Sequence, residues 1–461
     1  MKKITIFSAC MMLASLVFAG GVLTNTNQSV QYVRMLSRNA STGIDAVYFN
    51  PAGLTYLNDG WHFAISSQTI LQEKPVVSNF PLLNEKEYEG VVNVPVFPTA
   101  FGVYKMDRLA ISLGIGPNAG GGSATYERGL PSFEIPLSKL PVLIRSMGVP
   151  TSAYAVDMSF EGSSVFWGIQ VGAAYEISDF FSASLGVRVL PSTNKYNGYI
   201  RDIQINPTHP LLNPTGQMIP ATTFFNAAAP QLAGQVADKE VETTQTGFGY
   251  TPIVGVNIIP AENFNIAIKY EMKTTLNLTN NTTVDDLGLF PDGDVSSNDI
   301  PAILGVGAGY KTKMVEAQLS YNMYFNKGVG WGPNTRDLSI WRTRDASQIR
   351  EREFEKNGLE IGLGAQFNVS REFAFSLGGI YGHQGMADSY QSDFSFSNPH
   401  VSFGGGIEWK LSKALTLDAG VSNSIYQDQT VSYTDPDAGN YTDVYSKSTL
   451  TFAFGISYSI F

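Results

Sequence analysis

The segment Val315-Glu316-Ala317-Gln318-Leu319-Ser320-Tyr321-Asn322-Met323-Tyr324-Phe325 decides the fold. Odd positions are apolar or aromatic, while even positions carry Glu, Gln, Ser, Asn and Tyr. A period of two places each series on one face of an extended strand. The pattern recurs. Phe264, Ile266, Ile268, Tyr270 and Met272 alternate with Asn265, Ala267, Lys269, Glu271 and Lys273. Leu359, Ile361, Leu363, Ala365 and Phe367 alternate with Glu360, Gly362, Gly364 and Gln366, and Leu415 to Ser422 repeats the theme. A soluble β-sandwich alternates too, but its strands usually run to about five or six residues. These runs have about the nine to eleven that a tilted strand needs to cross a bilayer.

The connections sharpen the reading. Short polar turns fall at 105–108, 178–179, 261–263, 311–313, 370–372 and 412–414. Between them lie long polar loops, at 117–160, 205–243, 327–355 and 428–444. Short turns at one rim and long loops at the other mark outer-membrane barrels. Strands are expected near 61–73, 94–105, 108–117, 163–177, 180–201, 244–259, 263–278, 300–311, 313–326, 357–369, 372–383, 399–411, 414–427 and 446–460. The chain is therefore read as all-β, a transmembrane antiparallel β-barrel of about fourteen strands. A Lys on the lipid face at mid-membrane costs roughly 2–4 kcal/mol. The ionic series, with Lys269, Glu271, Lys273, Glu316, Glu360 and Asp418, must then face the lumen. The last strand ends in an aromatic, Phe461, which falls one position off its apolar face of Leu450, Phe452, Phe454, Ile456, Tyr458 and Ile460.

Composition agrees. Charged residues make up 15% of the 461, against about a quarter in soluble proteins, while 45 Gly and 12% aromatics suit many short-turned strands. Lys2 and Lys3 followed by the apolar run 4–18 and by Val17-Phe18-Ala19 form a secretory leader, residues 1–19. Removing it takes away Cys10, the sole cysteine, so the exported chain has no thiol for a disulfide or a metal site. It also takes two of the 30 basic residues, which leaves a net charge near −12 against 40 acidic ones. That balance, with no Lys/Arg cluster, argues against nucleic acid as a partner. The four histidines, His62, His209, His383 and His400, lack metal-ligand spacing, and no HExxH or GxSxG motif occurs. Neither a metal, a cofactor nor an enzymatic activity is expected.

A fourteen-strand bore lies between one that side chains fill and one that conducts water, so something inside is expected. Residues 20–58 precede the first strand, lack alternation and include Ile44, Val47, Tyr48, Phe49 and Leu54, a content that favours burial over a free tail. They are assigned as an N-terminal hatch, with 59–461 as the barrel.

The segment Asp45-Ala46-Val47-Tyr48-Phe49-Asn50-Pro51-Ala52-Gly53-Leu54 ahead of the first strand, Gly247-Phe248-Gly249-Tyr250, Asn265-Ile266-Ala267-Ile268-Lys269-Tyr270 and Ile300-Pro301-Ala302 give the sequence a resemblance. It resembles the FadL/TodX family of outer-membrane transporters for long-chain fatty acids and other hydrophobic compounds. The resemblance implies a luminal hatch, here with its motif on Asn50, Pro51, Ala52 and Gly53. It implies capture of ligand among extracellular loops, and passive release through a kink in the third strand. That strand is expected at 109–116, which puts the lateral opening at Gly114, Gly116, Pro117 and Asn118. Gly and Pro within a strand mark bulges and lost ladder bonds. Pro117 could equally end the strand and leave the glycines as loop.

Two loop stretches are apolar enough for capture: 131–148, with Phe133, Leu137 and Leu140 and with Lys139 and Arg145 available for a carboxylate, and 220–237, with Phe224, Phe225 and Leu232. The bland alternative is that these residues pack the loops on each other. The expected function is passive uptake of a hydrophobic small molecule by a monomer embedded in outer-membrane lipid. The rival readings are a surface adhesin or structural barrel, and a hydrophilic porin.

Overall fold

The structure is a computed structural model and describes residues 25–329, 331–333, 354–388 and 391–461. The leader expected at 1–19, the first residues of the hatch and most of loop 327–355 lie outside these residues. Among the described residues, no helix is long and apolar enough to cross a membrane. Strands do the crossing.

Fourteen long strands form the wall among the described residues. They are β1 (Gly60–Glu73), β2 (Val91–Met106), β3 (Leu109–Tyr126), β4 (Tyr154–Ser178), β5 (Phe181–Ile205), β6 (Lys239–Ala261) and β7 (Phe264–Glu271). They continue as β8 (Ile303–Lys311), β9 (Val315–Tyr324), β10 (Gly358–Asn368), β11 (Phe373–His383), β12 (His400–Lys410), β13 (Leu415–Tyr426) and β14 (Ser448–Ile460). Each pairs antiparallel with its sequence neighbour, and β14 returns to β1 from Trp61↔Ile460 to Glu73↔Ser448. Closure leaves no edge, which a bilayer demands because lipid offers no hydrogen bonds to unpaired backbone.

The alternation sorts the residues as the energy argument requires, except at Lys273, which lies past the end of β7 and is exposed. Ile65, Leu363 and Phe454 are 68%, 63% and 68% exposed, and the exposed apolar belt runs through every long strand from Trp61 to Ile460. Lys269, Glu271, Glu360 and Asp418 are buried inside. An apolar belt of this extent is a lipid-facing surface. The expected short turns are present. One example is the Asp107-Arg108 link, where Asp107 adopts a left-handed φ of 51° and lets β3 turn back immediately.

Several boundaries differ from the sequence reading. β3 does not stop near 117 but runs to Tyr126, and β4 begins at Tyr154 and not near 163. The stretch 117–160 is therefore a strand extension, two helices and a second extension. The helices are α3 (Pro131–Ser138) and α4 (Leu140–Ser146), counted after α1 (Val30–Met35) and α2 (Ala46–Phe49) of the hatch. The seventh strand is interrupted after Glu271 and resumes as 277–285, paired again with β6. Loop 428–444 is itself a hairpin, 429–435 against 439–445, joined in a small sheet by 76–78 and 87–88. In each case polar strand extensions beyond the membrane have composition no different from loops.

Candidate functional site

The hatch occupies the bore from residue 25 to about 58. Ser29 caps α1 by accepting the Tyr32 amide, and α1 then packs on β10 to β14 through Val30, Val33 and Met35. Its cations meet the luminal carboxylates. The Arg34 guanidinium lies 3.1 Å from Asp418 and donates to Ser376 at 2.8 Å, and Arg38 pairs with Asp45 at 2.7 Å and Glu316 at 3.2 Å. Opposite sits a second cluster on the wall. Arg188 and Lys269 both hold Glu271 at 2.6 Å, and Lys269 also donates to the Tyr48 carbonyl at 2.7 Å. Buried charge is tolerable only when paired in this way.

The motif residues form the floor of the hatch. The Asn50 amide donates to the Ser41 carbonyl at 2.9 Å and to Asn257 Oδ1 on β6 at 2.7 Å. Pro51 opens a 3-10 turn, Pro51–Tyr56, where its missing N–H costs nothing. The Ala52 carbonyl accepts from Ser182 Oγ on β5 at 2.7 Å. A Cβ on Gly53 would stand 2.4 Å from Asn50 Nδ2 and 2.5 Å from the Ser41 carbonyl oxygen, so only glycine fits.

The wall is broken between β2 and β3. They pair from Met106↔Leu109 to Ala100↔Ile115, then not again until Val92↔Ala124. Seven residues of β2, 93–99, thus face eight of β3, 116–123, without a ladder. Pro95, Pro98 and Pro117 bring no N–H to this stretch. β3 stays attached to β4, but skips Asn118 and Gly121 in doing so. The double bulge needs glycine: Gly120 and Gly121 have φ of 66° and 117°, and a Cβ at Gly120 would lie 2.2 Å from the Ser164 carbonyl oxygen. Phe97 and Val94, both buried, fill the gap from the β2 side against Gly121 and Gly122.

The hatch stands in for the missing strand. The Asn25 backbone N–H donates to the Asn118 carbonyl at 2.8 Å, its side chain donates to the Pro117 and Gly120 carbonyls at 3.1 and 2.7 Å, and Gln28 donates to Pro117 at 2.8 Å. Gly114, Gly116 and Asn118 line one small cavity with Gln28, Val47, Tyr48, Gln170 and Arg188. Pro117 sits at the bulge beside them. The structure thus gathers the four residues singled out on the third strand, and resolves the alternatives at Pro117 in favour of a continuing, bulged strand.

Above this level the lumen carries an apolar patch among polar residues such as Ser192 and Asn194. Ala119, Phe166, Leu190, Leu276, Leu278 and Ile300 form one cluster. The sequence reading missed them. Leu190 sits in an inward polar series with Arg188, Ser192 and Asn194, and an apolar residue on a polar face was the available signal. Higher still, the strand extensions and loops make a second core beyond the membrane. It holds Phe133, Leu137 and Leu140 of α3 and α4, Phe224 and Phe225 of α5 (Ala221–Ala228), Leu232 of α6 (Pro230–Ala233), and Phe160, Tyr196 and Phe290 from the wall side.

All six capture candidates are buried there, at 5% exposure or less. They build a closed cap, so any capture groove involves its partly buried rim, such as Ile135 and Leu143. Lys139 is engaged by Asp435 and is not free for a carboxylate, whereas Arg145 gives one N–H to the Thr151 carbonyl and is exposed. Asp393 accepts the Ser132 amide at 2.8 Å at the start of α3, and its burial raises the carboxyl pKa. Among the described residues no three His, Cys, Asp or Glu side chains are placed to hold a metal ion.

Fold and site together define a membrane-spanning, internally plugged β-barrel with an interrupted wall. The fold is that of the FadL/TodX-type barrels. It matches a Pseudomonas aeruginosa FadL homologue with a TM-score of 0.61 at 12% identity, covering 95% of this chain and 99% of that one. It matches the P. putida toluene transporter TodX at 0.55 and 14%, over 91% and 95% of the two chains. The Ralstonia pickettii toluene transporter TbuX follows at 0.54 and 16%, over 93% and 98%. No known family profile and no curated protein matches the sequence.

Proposed function

We propose that this protein is a monomeric outer-membrane channel for passive uptake of hydrophobic compounds, long-chain fatty acids or others. Cargo is captured at the loop cap, passes to the mid-lumen apolar cluster and leaves sideways between β2 and β3 into the membrane. The observation that carries this reading is the eight-residue break in the β2–β3 ladder with Ala119, a member of the apolar cluster, inside it. Each buried CH₂ is worth roughly 0.8 kcal/mol, so a long acyl chain gains on the order of 10 kcal/mol on such a surface. An aqueous bore offers no such gain, which weighs against a hydrophilic porin. A buried apolar cluster inside the bore has no use in an adhesin. The toluene transporters among the structural neighbours lend the cargo class further support.

The deciding experiment removes Asn118 and Gly121, the two residues that β3 skips in pairing with β4. The shortened strand lies straight against β4, and six of its residues then face seven of β2, which narrows the break. Uptake of labelled long-chain fatty acid and of toluene by cells carrying this variant is expected to fall to the level of cells lacking the protein, while the barrel keeps its heat-modifiable gel mobility. Undiminished uptake would rule out the lateral route.

A further inference from the structure

We propose that Asn118 is a specificity-determining residue that selects cargo bearing a neutral hydroxyl, such as a phenol, an alcohol or a protonated acid, over a hydrocarbon of equal size. The inference rests on the transport reading above and narrows its cargo.

Asn118 is skipped when β3 pairs with β4, and its side chain is buried, 3% exposed, in the cavity behind the wall break. Its Oδ1 has no hydrogen-bond partner. The polar neighbours in the same cavity are all engaged. Gln28 donates to the Asn25 and Pro117 carbonyls, Tyr48 donates to the Asn25 carbonyl, and Gln170 accepts from Arg188 and donates to the Val47 carbonyl. Arg188 is further occupied by Glu271. The cavity thus presents a buried acceptor with no partner, which an entering O–H can satisfy.

Size points the same way. The free space is about 10 Å³, room for one oxygen and not for a whole cargo molecule. The next residue, Ala119, belongs to the apolar cluster with Phe166 and Leu190. A hydroxyl placed at Asn118 therefore leaves its apolar remainder against that cluster, head towards the wall break. An unpaired buried acceptor carries a desolvation penalty that an O–H relieves and a C–H does not. Asn118 is also well fixed, since its own carbonyl accepts the Asn25 amide at 2.8 Å.

The test is equilibrium dialysis of the full-length mature protein in detergent against 4-butylphenol and butylbenzene, with affinities corrected for partition into protein-free micelles. The wild type is expected to prefer the phenol by about tenfold. Asn118→Leu should abolish that preference, and Asn118→Asp, which keeps an acceptor, should retain it. Equal corrected affinities in the wild type would overturn the proposal, meaning that water serves Asn118 equally well. So would a phenol preference that survives in Asn118→Leu. The wild-type comparison stands even if a variant fails to fold. Failure to bind either compound would instead sink the transport reading, and this inference with it.

Discussion

Glu271 shows how a single side chain can hold a lumen together. It balances two cations, Arg188 and Lys269, at 2.6 Å each, and all three side chains are at most 9% exposed. Glu271→Gln leaves two buried positive charges against no anion, and removing one member of such a group costs about 3–5 kcal/mol. The variant should unfold at lower urea, read from the loss of heat-modifiable mobility, and adding Lys269→Met should recover part of the loss. Singles and double unfolding alike would show that the cluster is solvated. Gly53 offers a second test at this scale. Gly53→Ala drives a methyl into the Ser41 carbonyl, whereas at Gly43 the nearest atom is Asp45 Oδ1 at 3.3 Å, on a side chain. Gly53→Ala should destabilise by about 1–3 kcal/mol and Gly43→Ala by much less, measured in the same titration.

Among the elements, β3 is the one that departs from its neighbours, and its partner β2 supplies the filler. Phe97 is 1% exposed within the gap, while Val96 beside it is 64% exposed on the outer face. Phe97→Ala is expected to widen the gap and speed uptake of labelled hydrophobic compounds severalfold, with Val96→Ala unchanged. Equal effects would mean that Phe97 merely packs. The cap helices form another unit. Phe133 contacts Phe160 and Phe394 with ring centroids 5.9 and 5.2 Å apart. Losing a buried Phe costs about 3–5 kcal/mol, so Phe133→Ala should let trypsin cut at Lys139 and Arg145 without altering the heat stability of the barrel. Unchanged protection would show that the cap does not depend on this core.

For the whole molecule, the hatch is expected to decide whether the barrel conducts. It fills the bore and is tied to wall strands on both sides, through Asp418 on β13 and Asn257 on β6. Wild-type protein in planar bilayers should show little ion conductance. A chain lacking residues 25–58 should conduct steadily, since a fourteen-strand bore then has nothing inside. A silent deletion variant that still shows heat-modifiable mobility would mean that the loops alone seal it.

Strand number, facing and the short turns were legible because period-two alternation and polar turn residues are local properties, and a bilayer punishes any other arrangement of the same residues. Asn50 to Gly53 were singled out only through the family resemblance of the segment that contains them. Three things were settled only in three dimensions. Pro117 belongs to a continuing strand because β4 holds it from one side while Asn25 and Gln28 hold it from the other, 92 and 89 residues away in sequence. Phe133 and Phe225 are interior because separate loops meet over them, and composition cannot tell a buried loop aromatic from an exposed one. The break in the ladder exists because two strands fail to pair, and a missing hydrogen bond is a property of neither strand alone.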